Sequence, residues 1–300
     1  MCHCQKQSHD GVLYGGVNCD VRIEGCEGHK CENQGSCAPF LLDGFNGYTC
    51  SCSPGYTGPV CGTPTTFSFE RRGYLLLQSP LVDAVVSCNI TLSFKTSLPR
   101  ALLFQSNSRG LLLSLELHEG QLRLTLRKEA SAGDEADSPS QVLELPHNVT
   151  DGEWHTVEAV LGSWVLSLTL LDDNGSCGSQ SCHQVASVQS TMARLVSPPQ
   201  NTFIGGVLQD SNAPGEVSLL PAFIGCMRDV FVDWQLIVPG EWLSDSAVNV
   251  SPGCSHRDRC LDVPCQNGGQ CVNLWESYQC RCPRPYEGQD CEEGMFSVFN

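Results

Sequence analysis

Cysteine is the residue type with the most chemistry to offer in this chain of 300 residues, which holds 20 of them. They gather before Cys61 and again between Cys254 and Cys291, and they thin out in between. Thiols this dense serve as metal ligands or as disulfides. Zinc sites want C-x2-C pairs, and neither dense stretch has one. The Cys2-His3-Cys4 triplet offers too few ligands close together for a metal. A stretch of under about 40 residues cannot bury enough apolar surface to fold unaided, so cross-links must replace a core. Disulfides of this density persist in an oxidising compartment, which places the chain outside the cytosol. Four Asn-x-Ser/Thr sequons, at Asn89, Asn148, Asn174 and Asn249, point the same way as candidate N-glycan sites.

Catalytic chemistry finds little support. Trp154 and His155 are adjacent, yet no nucleophile–base pairing, carboxylate dyad or metal cluster accompanies them, so they read as strand residues. Formal net charge is −16. That weighs against nucleic acid, anionic lipid and heparin, each of which needs a basic patch. Arg71, Arg72, Arg123, Arg127 and Lys128 are the basic candidates for a polysaccharide, and they read as solvated face residues. The expectation is a binding module, not an enzyme.

The cysteine spacing divides the chain. Cys26, Cys31, Cys37, Cys50, Cys52 and Cys61 read C-x4-C-x5-C-x12-C-x-C-x8-C. Cys260, Cys265, Cys271, Cys280, Cys282 and Cys291 read C-x4-C-x5-C-x8-C-x-C-x8-C, an internal repeat. Tyr48 and Tyr278 precede the fourth cysteine of each copy, and Tyr56 and Tyr286 follow the fifth. Spacing alone leaves the connectivity open.

The Cys-poor middle must build its own core. Leu113, Leu115 and Leu117 alternate with Ser114 and Glu116, and Leu122, Leu124 and Leu126 alternate with Arg123 and Thr125. A turn over residues 118–121, with Gly120, joins these runs. Val157, Ala159 and Leu161 repeat the pattern, as do Leu166, Leu168 and Leu170. Period-2 alternation predicts strands with one buried and one wet face. No convincing amphipathic helix is visible, and residues 130–140 read as an acidic surface loop. The fold class expected is mainly β, a sandwich. No secretory signal opens the chain, and the longest apolar candidate, residues 157–171, is too short to span a membrane and carries Glu158. The expectation is a fragment of something longer.

Both repeats resemble EGF-like domains. The resemblance implies the pairs Cys26–Cys37, Cys31–Cys50 and Cys52–Cys61, then Cys260–Cys271, Cys265–Cys280 and Cys282–Cys291. Cys2, Cys4 and Cys19 fit the last three cysteines of an earlier such unit, implying Cys4–Cys19 and an orphaned Cys2. In the middle, Asp151-Gly-Glu-Trp-His-Thr-Val157, Phe203-Ile-Gly-Gly206 and Phe223-Ile-Gly-Cys-Met-Arg-Asp-Val230 resemble three motifs of laminin-G-like domains. That resemblance implies an antiparallel β-sandwich with a Cys226–Cys254 bond. Cys177 and Cys182 suit a hairpin staple, which leaves Cys88 as a buried free thiol; the alternative is a different pairing among Cys88, Cys177 and Cys182.

The boundaries expected are an EGF-like remnant at 1–22, an EGF-like domain at 23–62, the laminin-G-like domain at 63–255, a second EGF-like domain at 256–292 and the start of a further domain at 293–300. Residues 264–286 and 44–52, with this domain order, resemble the Crumbs family of apical polarity receptors. The resemblance implies the extracellular side of the apical plasma membrane, attachment only through a segment outside this chain, and an extracellular protein partner, a second copy included. The alternative is a secreted matrix or guidance protein, similar in architecture to agrin, slit or neurexin relatives, that binds glycans or cell-surface receptors.

Calcium is the one cofactor the resemblance raises, and only in part. The loop before the Leu111 strand, residues 105–110, has no carboxylate where such sandwiches carry Asp, and Asp172 and Asp173 are the second-loop candidates. In the second EGF-like unit, Asp258 and Asn273 are weak Ca²⁺ candidates, with His256, Arg257 and Arg259 where ligands would stand. Asn273 also fits the hydroxylation pattern of such units. Ser36 and Thr57 fit the O-glycosylation patterns of the first unit.

Overall fold

The computed structural model describes residues 14–15, 20–78, 88–108, 110–128, 140–171, 182–189, 192, 201–208, 220–242, 246–255, 259–261, 265–273, 275 and 278–294. The chain divides into two compact units, Met1–Thr66 and Phe67–Asn300.

Short strands under disulfide control make up the first unit. β1 (Tyr14–Gly15) pairs β2 (Val21–Arg22), β3 (Ser36–Leu42) pairs β4 (Phe45–Ser51), and β5 (Tyr56–Thr57) pairs β6 (Thr63–Pro64). The longer cysteine spacing here becomes a longer hairpin. Ser36 pairs with Ser51 and the ladder runs to Leu42 and Phe45, closed by Asp43 and Gly44 at positive φ of 50° and 81°. Both positive angles define a type I′ turn, whose twist matches the strands it joins. Cys26–Cys37, Cys31–Cys50 and Cys52–Cys61 staple the unit.

The second unit holds the sandwich and the second EGF-like repeat. Its strands are β7 (Thr66–Gln78), β8 (Cys88–Lys95), β9 (Ala101–Ser108), β10 (Leu111–His118), β11 (Gln121–Lys128), β12 (Ser140–Leu145), β13 (His155–Leu161), β14 (Val165–Leu170), β15 (His183–Ser187), β16 (Asn201–Ile204), β17 (Gly225–Val232), β18 (Gln235–Leu236) and β19 (Ala247–Pro252). A helical turn, α1 (Pro239–Trp242), precedes β19. The order across the curled sheet is β12-β11-β10-β9-β16-β7-β17-β8-β13-β14-β15. The two ends of this order meet. The Glu144 backbone N–H donates to Gln184 Oε1 at 3.1 Å, and the Gln141 side-chain amide donates to the Ser187 carbonyl. Side chains thus cap edge groups that would otherwise invite another strand.

Inward-facing Leu and Phe residues fill the space between the layers, with Phe67, Phe69, Phe94, Phe104 and Phe223 fully buried. Phe69 and Phe223 meet edge to face at 5.7 Å between ring centroids. The turn over residues 118–121 is built as the sequence reads: His118 pairs with Gln121, with Glu119 and Gly120 at φ of 52° and 84°. One expectation fails on β10. Its wet face is buried as well, with Glu116 only 8% exposed. At Glu116 the cover comes from Arg123 on β11, which lies 3.9 Å from Glu116 and 3.3 Å from Glu144 of β12, so its side chain roofs that part of β10.

Cys226 on β17 is bonded to Cys254 just after β19, which ties the sandwich's last strand to its core. Cys182 is disulfide-bonded, and its expected partner Cys177 lies outside the described residues, as do Cys2, Cys4, Cys19 and residues 130–139. Cys88 is a buried free thiol. Burial, then the nearby Asp233 carboxylate, pushes its pKa far above the ordinary thiol value, against a smaller opposing effect of a Ser106 hydrogen bond.

The second repeat pairs β20 (Gln270–Asn273) with β21 (Tyr278–Arg281) and β22 (Tyr286–Glu287) with β23 (Glu293–Gly294). Its bonds are Cys260–Cys271, Cys265–Cys280 and Cys282–Cys291. One interaction is copied between the repeats: Asn33 Nδ2 donates to the Cys61 carbonyl and Asn267 Nδ2 to the Cys291 carbonyl, both at 2.8 Å.

Candidate functional site

Two of the three sandwich motifs flank β8, while the third, on β16, lies between β7 and β9. His155 opens β13 opposite Phe94, while Met227 on β17 also pairs with Phe94 and Arg228 with Ser93. The first motif bends before its strand. Gly152 sits at φ of 82°, and its N–H donates to the Thr96 carbonyl at 3.1 Å. Asp151 Oδ1 accepts the Glu153 N–H at 2.9 Å and lies 2.9 Å from His155 Nε2. Partial burial pushes the Asp151 carboxyl up, but the Glu153 N–H and the His155 ring overcome it and hold it below its ordinary value. This turn presents the Trp154 ring to Arg228, whose guanidinium lies 4.1 Å from the ring centroid.

The Gly-Gly motif serves close approach. A Cβ on Gly205 would strike the Phe69 ring at 2.5 Å, and one on Gly206 would meet the Gly73 carbonyl at 2.7 Å. All three motifs therefore build the sandwich and the approach of its layers. The Asp151–His155 pair orders a turn.

Calcium ligands are scarce where the resemblance implies them. Residues 105–107 offer amide and hydroxyl oxygens, and Ser106 is buried against Cys88. Hard divalent cations want several charged oxygens, so this part of the rim does not fit the ion. Asp172, Asp173 and Asp258 lie outside the described residues. Asn273 is half-buried on β20, and its Oδ1 accepts the Trp275 N–H at 3.3 Å, which turns that oxygen toward its own loop.

The sequons separate by burial. Asn148 is exposed and Asn249 is exposed, the latter donating from Nδ2 to the Arg71 carbonyl at 3.0 Å. Asn89 departs from the expectation of a surface glycan. It is 6% exposed on β8, and Asp233 closes over it, accepting its N–H at 2.9 Å and donating to its carbonyl at 2.8 Å. Asn174 lies outside the described residues. Ser36 is exposed at the start of β3, and Thr57 is half-buried opposite Thr63.

Against known families, residues 94–235 match the laminin G domain, and residues 26–60 and 260–290 match the EGF-like domain. The chain is therefore an extracellular-type array in which EGF-like domains flank a laminin G sandwich. The fold agrees: the LG1-3 region of the laminin alpha2 chain superposes with a TM-score of 0.50 and 18% identity, covering 65% of this chain and 36% of that one. The chain belongs to the Crumbs family. Protein crumbs homolog 1 of Mus musculus is 36% identical over 97% of this chain and 20% of its own length. Protein crumbs homolog 2 of Homo sapiens is 32% identical over 86% of this chain and 18% of its own. Cadherin EGF LAG seven-pass G-type receptor 1 of Mus musculus is 28% identical over 92% of this chain and 10% of its own. This chain thus spans about a fifth or less of these relatives.

Sequence reasoning found the motifs but missed the contact between two of them. It also missed two exposed tryptophans, Trp164 and Trp234. The signal available was an Asp-Trp pair at the tip of a hairpin, where Asp-Gly is the ordinary choice.

Proposed function

We propose that this chain is a non-catalytic binding and spacer segment in the ectodomain of a cell-surface receptor that supports apical–basal polarity and cell–cell contact. The observation that carries the reading is the match to a crumbs homologue along 97% of the chain, across both EGF-like repeats and the sandwich. Further support comes from the names of more distant relatives, a seven-pass receptor and the "wing polarity protein stan" of Drosophila melanogaster. Stapled repeats on either side of a core-bearing sandwich suit a rigid extracellular spacer. The partner on this reading is an extracellular protein, and a second copy of the chain is the first to test.

The experiment displays the chain on suspension cells and mixes them with undisplaying cells and with epithelial cells. Aggregation among displaying cells, or adhesion to the apical face of epithelial cells, is the expected result. Absence of both, together with retention on a heparin column at physiological salt, would overturn the reading in favour of a secreted matrix protein.

A further inference from the structure

Trp234 is 79% exposed and Trp164 is 67% exposed, and neither serves the core, the disulfides or the three motifs. Trp234 follows Asp233 at the tip of the β17–β18 hairpin, where Val232 pairs with Gln235. Asp233 and Trp234 have φ of 48° and 67°, a type I′ turn. The second place of that turn favours glycine. A bulky residue at positive φ is strained, and this one regains nothing by packing. Fold stability is not served by an indole here.

Trp164 occupies the matching place on the neighbouring hairpin. Leu161 pairs with Leu166, the Gly162 N–H donates to the Val165 carbonyl at 2.8 Å, and the Trp164 carbonyl accepts the Val188 N–H at 3.0 Å. Both hairpins end at the same end of the sheet, because β13 and β17 both flank β8. Cys88 pairs with Leu161, Ile90 pairs with Val232, and Asp233 bonds to Asn89. The order β18-β17-β8-β13-β14 puts the two tips three strand spacings apart, roughly 14 Å.

We propose that Trp164 and Trp234 are stacking platforms for a neutral oligosaccharide. The C–H face of a sugar packs on a single exposed ring, while polar neighbours take its hydroxyls. Ser163, Asp233, Gln235 and Ser187 are such neighbours on these strands and turns. A docked protein would want a contiguous apolar patch, and here the two rings stand three strand spacings apart, with Val165 at 40% exposure beside Trp164 and Val185 on β15 as exposed apolar neighbours. Charge selects a neutral ligand. Residues 88–90, 161–167, 187–189 and 231–237 contain Asp233 and no Lys or Arg, so sulfated and sialylated chains find repulsion and no counter-charge. The chain's own Asn89 is not the source, since Asp233 closes over it.

This proposal rests on the extracellular placement above and is separable from the adhesion reading. The intact chain is applied to a printed panel of oligomannose and lactosamine oligosaccharides beside sulfated and sialylated ones. Binding to neutral members is expected, with Trp164→Ser and Trp234→Gly each weakening it about tenfold. Trp234→Gly must also raise Tm, because glycine relieves the turn. Preference for charged glycans, silence on the neutral ones, or binding that survives the double variant would overturn it. A silent panel with cell adhesion intact removes only the sugar site. A positive panel without adhesion removes only the adhesion reading.

Discussion

The Arg228 guanidinium stacks over the Trp154 ring at 4.1 Å, joining two sequence motifs that lie on strands either side of β8. Arg228 is half-buried and reaches Asp229 only at 4.0 Å, the outer edge of an ion pair, so the ring face is a principal support for its guanidinium. A planar cation over an indole contributes about 1–2 kcal/mol when partly desolvated, and a lysine ammonium stacks less well. Arg228→Lys should therefore destabilise the sandwich by about 1 kcal/mol, and Trp154→Ala by more, through lost packing. Denaturant unfolding of both singles and the double should give a coupling near 1 kcal/mol. Additive losses would show that the two residues act independently.

Acid should find the Asp151 turn first. Asp151 is held below its ordinary carboxylate value, so it stabilises the fold above that value and the contribution disappears as pH falls through the lower folded one. Glu116 has the opposite sign. Burial raises it, outweighing Arg123 and the other nearby cations, so its contribution is present below the ordinary value and is lost as pH rises through the raised one. Thermal melts between about pH 3 and 7 should show Asp151→Asn flattening the acid limb. Glu116→Gln should gain on the parent as pH rises. Parallel pH profiles for all three proteins would contradict both assignments.

Calcium titration by calorimetry should give no tight binding. The described part of the β9–β10 hairpin presents no carboxylate, and Asn273 Oδ1 is engaged by Trp275. A heat signal with micromolar affinity would locate a site built from other loops, and Asp172→Asn or Asp258→Asn would then identify which.

Strand periodicity was legible because burial on one face imposes it directly, as in Leu122, Leu124 and Leu126 of β11. The three motifs were legible because a glycine that admits no Cβ, such as Gly205, leaves a fixed mark. What stayed hidden depends on partners distant in sequence. Glu116 looks like a wet-face residue until Arg123 roofs it. Asn89 looks like an open sequon until Asp233, 144 positions away, closes over it. The strain at Trp234 follows from the register of a hairpin, which residue types alone do not set.

That burial has its own readout. Peptide mapping of the secreted, folded chain should find Asn148 and Asn249 carrying N-glycans and Asn89 bare. A glycan on Asn89 would have to displace the Asp233 lid and its two hydrogen bonds. High occupancy at Asn89 in material with native melting behaviour would mean that the β17–β18 turn opens at little cost.

Reductant should separate the chain by what holds each part together. The EGF-like repeats owe their shape to bonds closing loops of 9 to 19 residues around strands with little buried apolar surface. Each such closure contributes about 2–4 kcal/mol, which a domain of that size has no core to replace. The sandwich keeps its Phe and Leu core when its disulfides open, and loses the constraint of the 28-residue Cys226–Cys254 loop and of the Cys182 bond. Under mild reduction, amide exchange should rise throughout β3–β4 and β20–β21 while β8, β10 and β13 stay protected. Simultaneous loss of protection in all of them would mean that Cys226–Cys254 is as necessary to the sandwich as the staples are to the repeats.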